Sequence, residues 1–141
     1  MSKITLVLLM VALLLLPGCE QKSPKRDQIP LLRAKLLALQ NAVHERDRAA
    51  VDSLLSVKIV SKHQGSDSLL AFVYGPEGSF AFERFGNYNI VYTSDKARVE
   101  CFIMDSTAAT DRPIVLFLAH EHDLWLFTSF EQGKVDNDSL P

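Results

Sequence analysis

One apolar run decides how this chain folds: Pro113-Ile114-Val115-Leu116-Phe117-Leu118-Ala119. The run is short, rich in branched and aromatic residues, and bordered by polar residues on both sides. These properties are typical of a β-strand rather than of a helix. Because apolar and polar residues do not alternate within it, the run predicts a central strand that is covered on both faces.

Further strands are predicted on both sides of this run. Residues 124–130 pair with it after a turn at 121–123, and a polar loop at 106–112 separates it from a strand at 97–104. Ser94-Asp95-Lys96 is typical of a turn. Earlier strands contain Phe80, Phe82, Tyr88, Ile90 and Tyr92, with Gly86-Asn87 as a break or bulge between them.

The N-terminal half of the chain is predicted to be helical. Every aromatic residue falls after position 71, whereas residues 31–55 are mostly helix-tolerant. A first helix over about 30–46 is indicated by one apolar face, formed by Leu32, Leu36, Leu39 and Val43.

Two shorter helices follow in this prediction. Asp47 caps a second helix that carries Val51, Leu54 and Leu55. A third is capped by Ser66 or Asp67 and ends at Gly75-Pro76. The segment between them, residues 57–63, is predicted as a short strand.

Helices followed by strands define an α+β fold in which N-terminal helices pack on a curved antiparallel sheet. Two segments carry a family resemblance: residues 39–47 running into 51–55, which contain an Arg46-Asp47 junction, and the Trp125-containing strand at 124–131. Over about residues 31–131 the chain resembles the nuclear-transport-factor-like superfamily, which includes ketosteroid-isomerase-like proteins and many cystatin-like bacterial lipoproteins. The resemblance implies a sheet that wraps the first helix into a cone.

The N-terminus has the pattern of an export signal. Lys3 precedes an apolar run over residues 4–16, which is shorter than the roughly 20 residues that a membrane span needs. The run ends in Leu16-Pro17-Gly18-Cys19, which resembles the lipobox of bacterial lipoproteins. The resemblance implies that residues 1–18 are a cleaved signal peptide and that Cys19 carries lipid and anchors the protein to the membrane. In many Gram-negative lipoproteins, an aspartate directly after the lipidated cysteine signals retention in the inner membrane. This chain has Glu20 there, so the resemblance favours the periplasmic face of the outer membrane if the cell is Gram-negative.

The remaining chain is predicted to contain one domain. Residues 19–30 form the lipidated cysteine and a flexible tether, residues 31–131 a single α+β domain, and residues 132–141 a disordered tail. If Cys19 carries lipid, Cys101 has no partner for a disulfide and is expected to pack as a small buried side chain. A formal net charge of −2, without a concentrated basic face, argues against nucleic acid as a partner.

Candidate site residues are few. Catalysis of the isomerase type would need a base and an oxyanion donor inside the cone, and the candidates by residue type are His63, Tyr74, Tyr88, Tyr92 and Asp105. The favoured interpretation of these residues is packing and loop structure. His120 and His122 would share a face in a strand and could bind zinc, but polar residues between two apolar strands favour a hairpin turn, so no metal or other cofactor is predicted.

Three functions follow from these observations. The first is a membrane-anchored accessory or binding module, whose ligand is an envelope protein or a small apolar molecule. The alternatives are a small envelope enzyme with a ketosteroid-isomerase-like pocket and a cystatin-like inhibitor or assembly partner. An internal pocket lined by Asp and Tyr would favour the enzyme, and a filled interior with an exposed apolar sheet face would favour a protein partner.

Overall fold

The computed structural model describes residues 27–58, 65–106 and 111–134. The predicted signal peptide, Cys19 and His63 lie outside the described residues. Three α-helices lie wholly within these ranges, α1 (Ile29–His44), α2 (Arg48–Leu54) and α3 (Ser66–Tyr74), and a 3₁₀ turn follows at Pro76–Gly78. Four strands come after them: β1 (Phe82–Tyr92), β2 (Lys96–Asp105), β3 (Arg112–Glu121) and β4 (Leu124–Gln132).

Helix α1 confirms the predicted apolar face. Leu32, Leu36, Leu39 and Val43 are all buried, because their spacing places them on one side of the helix. Pro30 stands in the first turn, where a residue without an N–H loses no intrahelical hydrogen bond.

The predicted cap of α2 is confirmed and that of α3 is wrong. The carboxylate of Asp47 accepts a hydrogen bond from the N–H of Ala50 at 3.1 Å. The N-cap of α3 is Gly65, at φ 57°, and Ser66 is already helical. The N–H of Ser66 donates instead to the carboxylate of Asp52 on α2, at 2.8 Å, so a side chain distant in sequence replaces the expected local cap.

The predicted strand at residues 57–63 is also wrong where it can be compared. Val57 and Lys58 are helical, and residues 59–63 lie outside the described residues. Leu55, directly after α2, has an extended backbone and forms an isolated parallel bridge with Phe127. The N–H of Ser56 donates to the carbonyl of Phe127 at 2.8 Å.

The strands form an open antiparallel meander with the order β1-β2-β3-β4. The predicted break at Gly86-Asn87 is a register shift inside a single strand, β1, with Asn87 at φ 50°. Arg112, which we expected in the loop, is the first residue of β3. His122 and Asp123 form the turn between β3 and β4, both at positive φ, as a two-residue type I′ hairpin requires.

The helices pack against one face of the sheet, which we call the inner face. Helix α1 contacts both edge strands, β1 and β4, so the sheet curves around it. Two hydrogen bonds fix the start of α1 at one end of the sheet: Tyr92 donates to Asp27 at 3.0 Å, and the indole of Trp125 donates to the amide oxygen of Gln28 at 3.1 Å. None of the described helices is both long enough and apolar enough to span a bilayer.

The sheet is covered on one face only within the described residues. The inner face of β3 presents Ile114, Leu116 and Leu118, all of which are buried in the core. No element of residues 27–58, 65–106 or 111–134 packs on the opposite face, which we call the outer face. The expectation that β3 is covered on both faces is therefore wrong for this part of the chain.

Candidate functional site

The outer face of the sheet carries an apolar column along β3. The column consists of the alternate residues Pro113, Val115, Phe117 and Ala119, because successive side chains of a strand point to opposite faces. None of the four belongs to the core cluster that contains Ile114, Leu116 and Leu118. The strand is therefore apolar on both faces, although helices cover only one of them.

Polar side chains border this column on the neighbouring strands. Val115 lies between Glu100 of β2 and Glu131 of β4 in the sheet register, and Phe117 lies between Arg98 and Ser129. Val115 is only 5% exposed, whereas Pro113, Phe117 and Ala119 are partly exposed. The accessible part of the column therefore consists of these three side chains.

The column contributes to a groove of about 440 Å³ on the outer face. Among its lining residues, Phe102, Pro113 and Val115 are apolar, whereas Arg98, Glu100, Glu131 and Lys134 are charged. These four charges are two basic and two acidic, so the groove has no strong preference for a cation or an anion. The rest of the described lining is mainly polar, including Asn87, Asn89 and Gln132, and a small apolar centre with a polar rim is a common arrangement in protein interfaces.

One ion pair along β2 organises these charges. The guanidinium of Arg98 lies 2.5 Å from the carboxylate of Glu100, and both side chains are about half exposed, at 52% and 48%. Exposed pairs of this kind contribute little to folding stability. The two charges therefore remain available to a partner at small cost to the fold.

Gly133 lies at one end of the groove. Its N–H donates to the carbonyl of Pro113 at 3.0 Å, and a Cβ atom at this position would lie 2.8 Å from the Cβ of Pro113. Only glycine allows this close approach without a shift of the strands. A depression is therefore left beside Pro113 on the outer face.

A solvent-open cleft of about 400 Å³ lies between α1 and β1, lined among others by Leu36, Phe85 and Tyr88. The interior between the helices and the centre of the sheet, by contrast, is almost filled. A cavity of about 20 Å³ lies there, lined mainly by Leu39, Leu55, Leu69, Leu116 and Phe127. No ionisable side chain of the described residues lines it. A cavity of this volume can hold about one water, so it has no room for a substrate.

The candidate catalytic residues are not brought together. The hydroxyl of Tyr74 donates to the carbonyl of Val43 at 2.6 Å, at the end of α1, whereas that of Tyr92 donates to Asp27. Asp105 accepts a hydrogen bond from the N–H of Ala81 at 3.0 Å. Tyr88 is 42% exposed, and His63 lies outside the described residues. These contacts agree with the packing interpretation.

Arg112 has a structural role that the sequence did not indicate. Its guanidinium donates to the carbonyls of Phe72, at 2.9 Å, and Val73, at 2.5 Å, in the last turn of α3. It also stacks on Phe80, 3.9 Å from the ring centre. Burial lowers the pKa of Arg112, and the charge of Asp105 opposes this shift. The carbonyl partners lie about 40 positions away in the sequence, so no local pattern could have revealed the contact.

The two histidines considered for zinc lie at the β3–β4 hairpin. His120 stacks on Trp125, with ring centres 4.9 Å apart, whereas His122 is in the turn, at φ 49°. Strand alternation therefore does not set the direction of His122. Across the described ranges, no three His, Cys, Asp or Glu side chains form a group that could hold a metal ion.

Cys101 lies on the inner face of β2 and is 3% exposed. Burial raises the pKa of its thiol to about 12, because a thiolate loses hydration in the core. A thiol in this environment is a poor nucleophile at neutral pH. Cys101 therefore behaves as a small core side chain.

Fold and surface together define an α+β protein with an open sheet, whose outer face carries an apolar column that no described helix covers. No protein-family model matches the sequence, and no curated protein matches it either.

Proposed function

We propose that this protein is a membrane-anchored envelope lipoprotein whose domain binds a protein partner through the outer face of the sheet. The observation that carries the proposal is the apolar column of β3 on a face that no described element covers. Contiguous apolar surface with a polar border typically marks a site of protein association.

The interior supports a binding module over the two functions that need a pocket. Both the isomerase-like enzyme and the binding of a small apolar ligand require space between helix and sheet. The interior cavity is about 20 Å³ and has no acid or base in its described lining. The larger cleft between α1 and β1, about 400 Å³, is open to solvent, and its described lining contains Tyr88 but no Asp, Glu or His that could serve as a base. A cystatin-like inhibitor or assembly partner would use a surface rather than a cavity, and so differs from our proposal only in what it binds.

The proposed anchor is consistent with the way the domain begins. In this proposal Cys19 carries the lipid, and the tether joins the domain at Asp27, which Tyr92 holds at the end of β1. Residues 20–26 span at most about 25 Å when fully extended. The domain would therefore stay close to the bilayer with its sheet open to neighbouring envelope proteins.

We also propose that the domain is a short relative of the nuclear-transport-factor-like superfamily. Support comes from the long first helix, which contacts both edges of the curved sheet. The chain after α2 also pairs with the free edge of β4, through the isolated parallel bridge between Leu55 and Phe127.

The partner is tested by placing a photoreactive amino acid at position 117 of the full chain, in native membranes. We expect a reproducible protein crosslink from this position, and its loss when Val115→Glu puts a charge into the column. The matched control is position 37 on α1, where the natural Leu37 is 55% exposed but lies outside the column. Absence of a crosslink from position 117, or equal crosslinking from position 37, contradicts the proposal.

The anchor is tested separately by metabolic labelling with a radioactive fatty acid. The parent chain should take up label, and Cys19→Ser should take up none and accumulate as precursor. Normal maturation of the variant, together with an unlabelled parent, would show that Cys19 is not a lipidation site.

A further inference from the structure

We propose that the outer face binds a second copy of this chain, with a two-fold axis that crosses the strands between Val115 and Phe117. This inference rests on the proposed function, since it names the partner of the same surface. Two observations support it: the charges on β2 and the apolar column on β3. Under this one two-fold axis, the charges face opposite charges of the second copy and the apolar column faces the apolar column of the second copy.

With a two-fold axis perpendicular to the strands, each strand of one copy lies over the same strand of the second copy and runs in the opposite direction. On β2, a residue on one side of the axis therefore faces the residue that lies equally far on the other side of the axis in the second copy. Arg98 of one copy faces Glu100 of the second copy, and Glu100 faces Arg98 in return. Since Arg98 and Glu100 already pair within one chain, the four side chains would form a closed network of alternating charge.

The other two-fold axis in the plane of the interface runs along β3, and it gives a worse match. It exchanges β2 with β4 and keeps each residue at the same height along the strands. Glu100 and Glu131, which flank Val115 on opposite sides, would then face each other between copies. Facing like charges destabilise an interface, so the charge pattern selects the axis that crosses the strands.

The apolar residues fit the same operation. Val115 of one copy meets Phe117 of the second copy at the axis, and Ala119 meets Pro113 further out. Leu126 neighbours Ala119 in the register, and it faces the depression at Gly133 of the second copy. Large side chains thus oppose small ones, which allows two sheets to pack at the usual separation of about 10 Å.

The size of the face predicts a weak dimer. Four strands at about 4.8 Å spacing and about nine residues at ~3.3 Å each give a face of roughly 19 by 30 Å. The resulting area, roughly 570 Å², is below the ~800 Å² per partner of standard interfaces. Attachment of both copies to one membrane would raise their local concentration and compensate for the small area.

Charge reversal tests the inference on the full chain, extracted from membranes in dodecyl maltoside. Sedimentation velocity over a range of protein concentrations should show a reversible dimer. Arg98→Glu or Glu100→Arg alone should weaken it at least tenfold, because each places like charges face to face. The double variant Arg98→Glu, Glu100→Arg should restore the dissociation constant to within threefold of the parent.

A matched control uses a second exposed ion pair, Arg48 with Asp67, at 3.1 Å, which lies on the helical side. Arg48→Glu should leave the dimer unchanged. A parent chain that is monomeric at every concentration, or a double variant no better than the single ones, overturns the inference. If position 117 meanwhile crosslinks to a different protein in membranes, the proposed function holds and only the second copy is rejected. If it crosslinks to nothing, both are rejected.

Discussion

The two faces of β3 are built from similar side chains but have different surroundings. Leu116 on the inner face is 1% exposed beneath the helices, whereas Phe117 on the outer face is partly exposed and lies outside the core cluster. The inner face is needed for folding in the isolated chain. The outer side chains of β3 are also apolar, but none of them belongs to the core cluster. In our proposal, the inner residues hold the fold and the outer residues serve association.

The largest expected effect is on the inner face. Leu116→Ala removes a fully buried side chain from the centre of the sheet, where its neighbours cannot close the space. The free energy of unfolding should fall by ~2–5 kcal/mol, measured by urea denaturation of the full chain in detergent. A loss below ~1 kcal/mol would show that this face is not the folding core.

The second-largest expected effect is at the contact between Arg112 and the last turn of α3. Arg112→Met removes the hydrogen bonds to Phe72 and Val73 and leaves the end of α3 uncapped. We expect a loss of about 1.5–3 kcal/mol, seen as a lower urea midpoint. Arg112→Lys should recover part of it, since a single ammonium keeps the charge but lacks the planar fork. A midpoint equal to that of the parent in Arg112→Met would contradict the capping role.

A smaller effect distinguishes the two faces of β2 by pH. Burial raises the pKa of the Cys101 thiol from 9.0 to about 12, so between these values the unfolded chain ionises and the folded chain does not. The unfolded state binds fewer protons there, and stability must fall as pH rises. From pH 8 to pH 10 the thiol should remove about 1.4 kcal/mol.

The control for this pH effect is Cys101→Ala, because other groups also titrate in alkali. The parent should lose more stability than the variant over the same interval. Phe102→Cys, made in the Cys101→Ala background, places a thiol on the outer face and should react quickly with a thiol reagent at pH 8. Rapid labelling of Cys101 in the folded parent would contradict its inward direction.

Features that depend on neighbouring residues could be predicted from the sequence, whereas contacts between distant residues could not. The face of α1 and the Asp47 cap were predictable, because both depend on residues within a few positions of one another. Arg112 was not, since its partners lie about 40 positions away. The capping of α3 by Asp52 depends likewise on a tertiary contact. The apolar composition of β3 could be read from the sequence itself. Which of its two faces the helices cover could not, because that depends on tertiary packing.

The most direct test of the account is Phe117→Thr in the full chain, with stability and association both measured. Threonine keeps the preference for strand structure, so the free energy of unfolding should stay within about 1 kcal/mol of the parent. Crosslinking from a photoreactive residue at position 126, on the same outer face, should fall at least tenfold in native membranes. An unchanged crosslink, or a loss of stability as large as that of Leu116→Ala, would contradict the division of β3 into a folding face and a docking face.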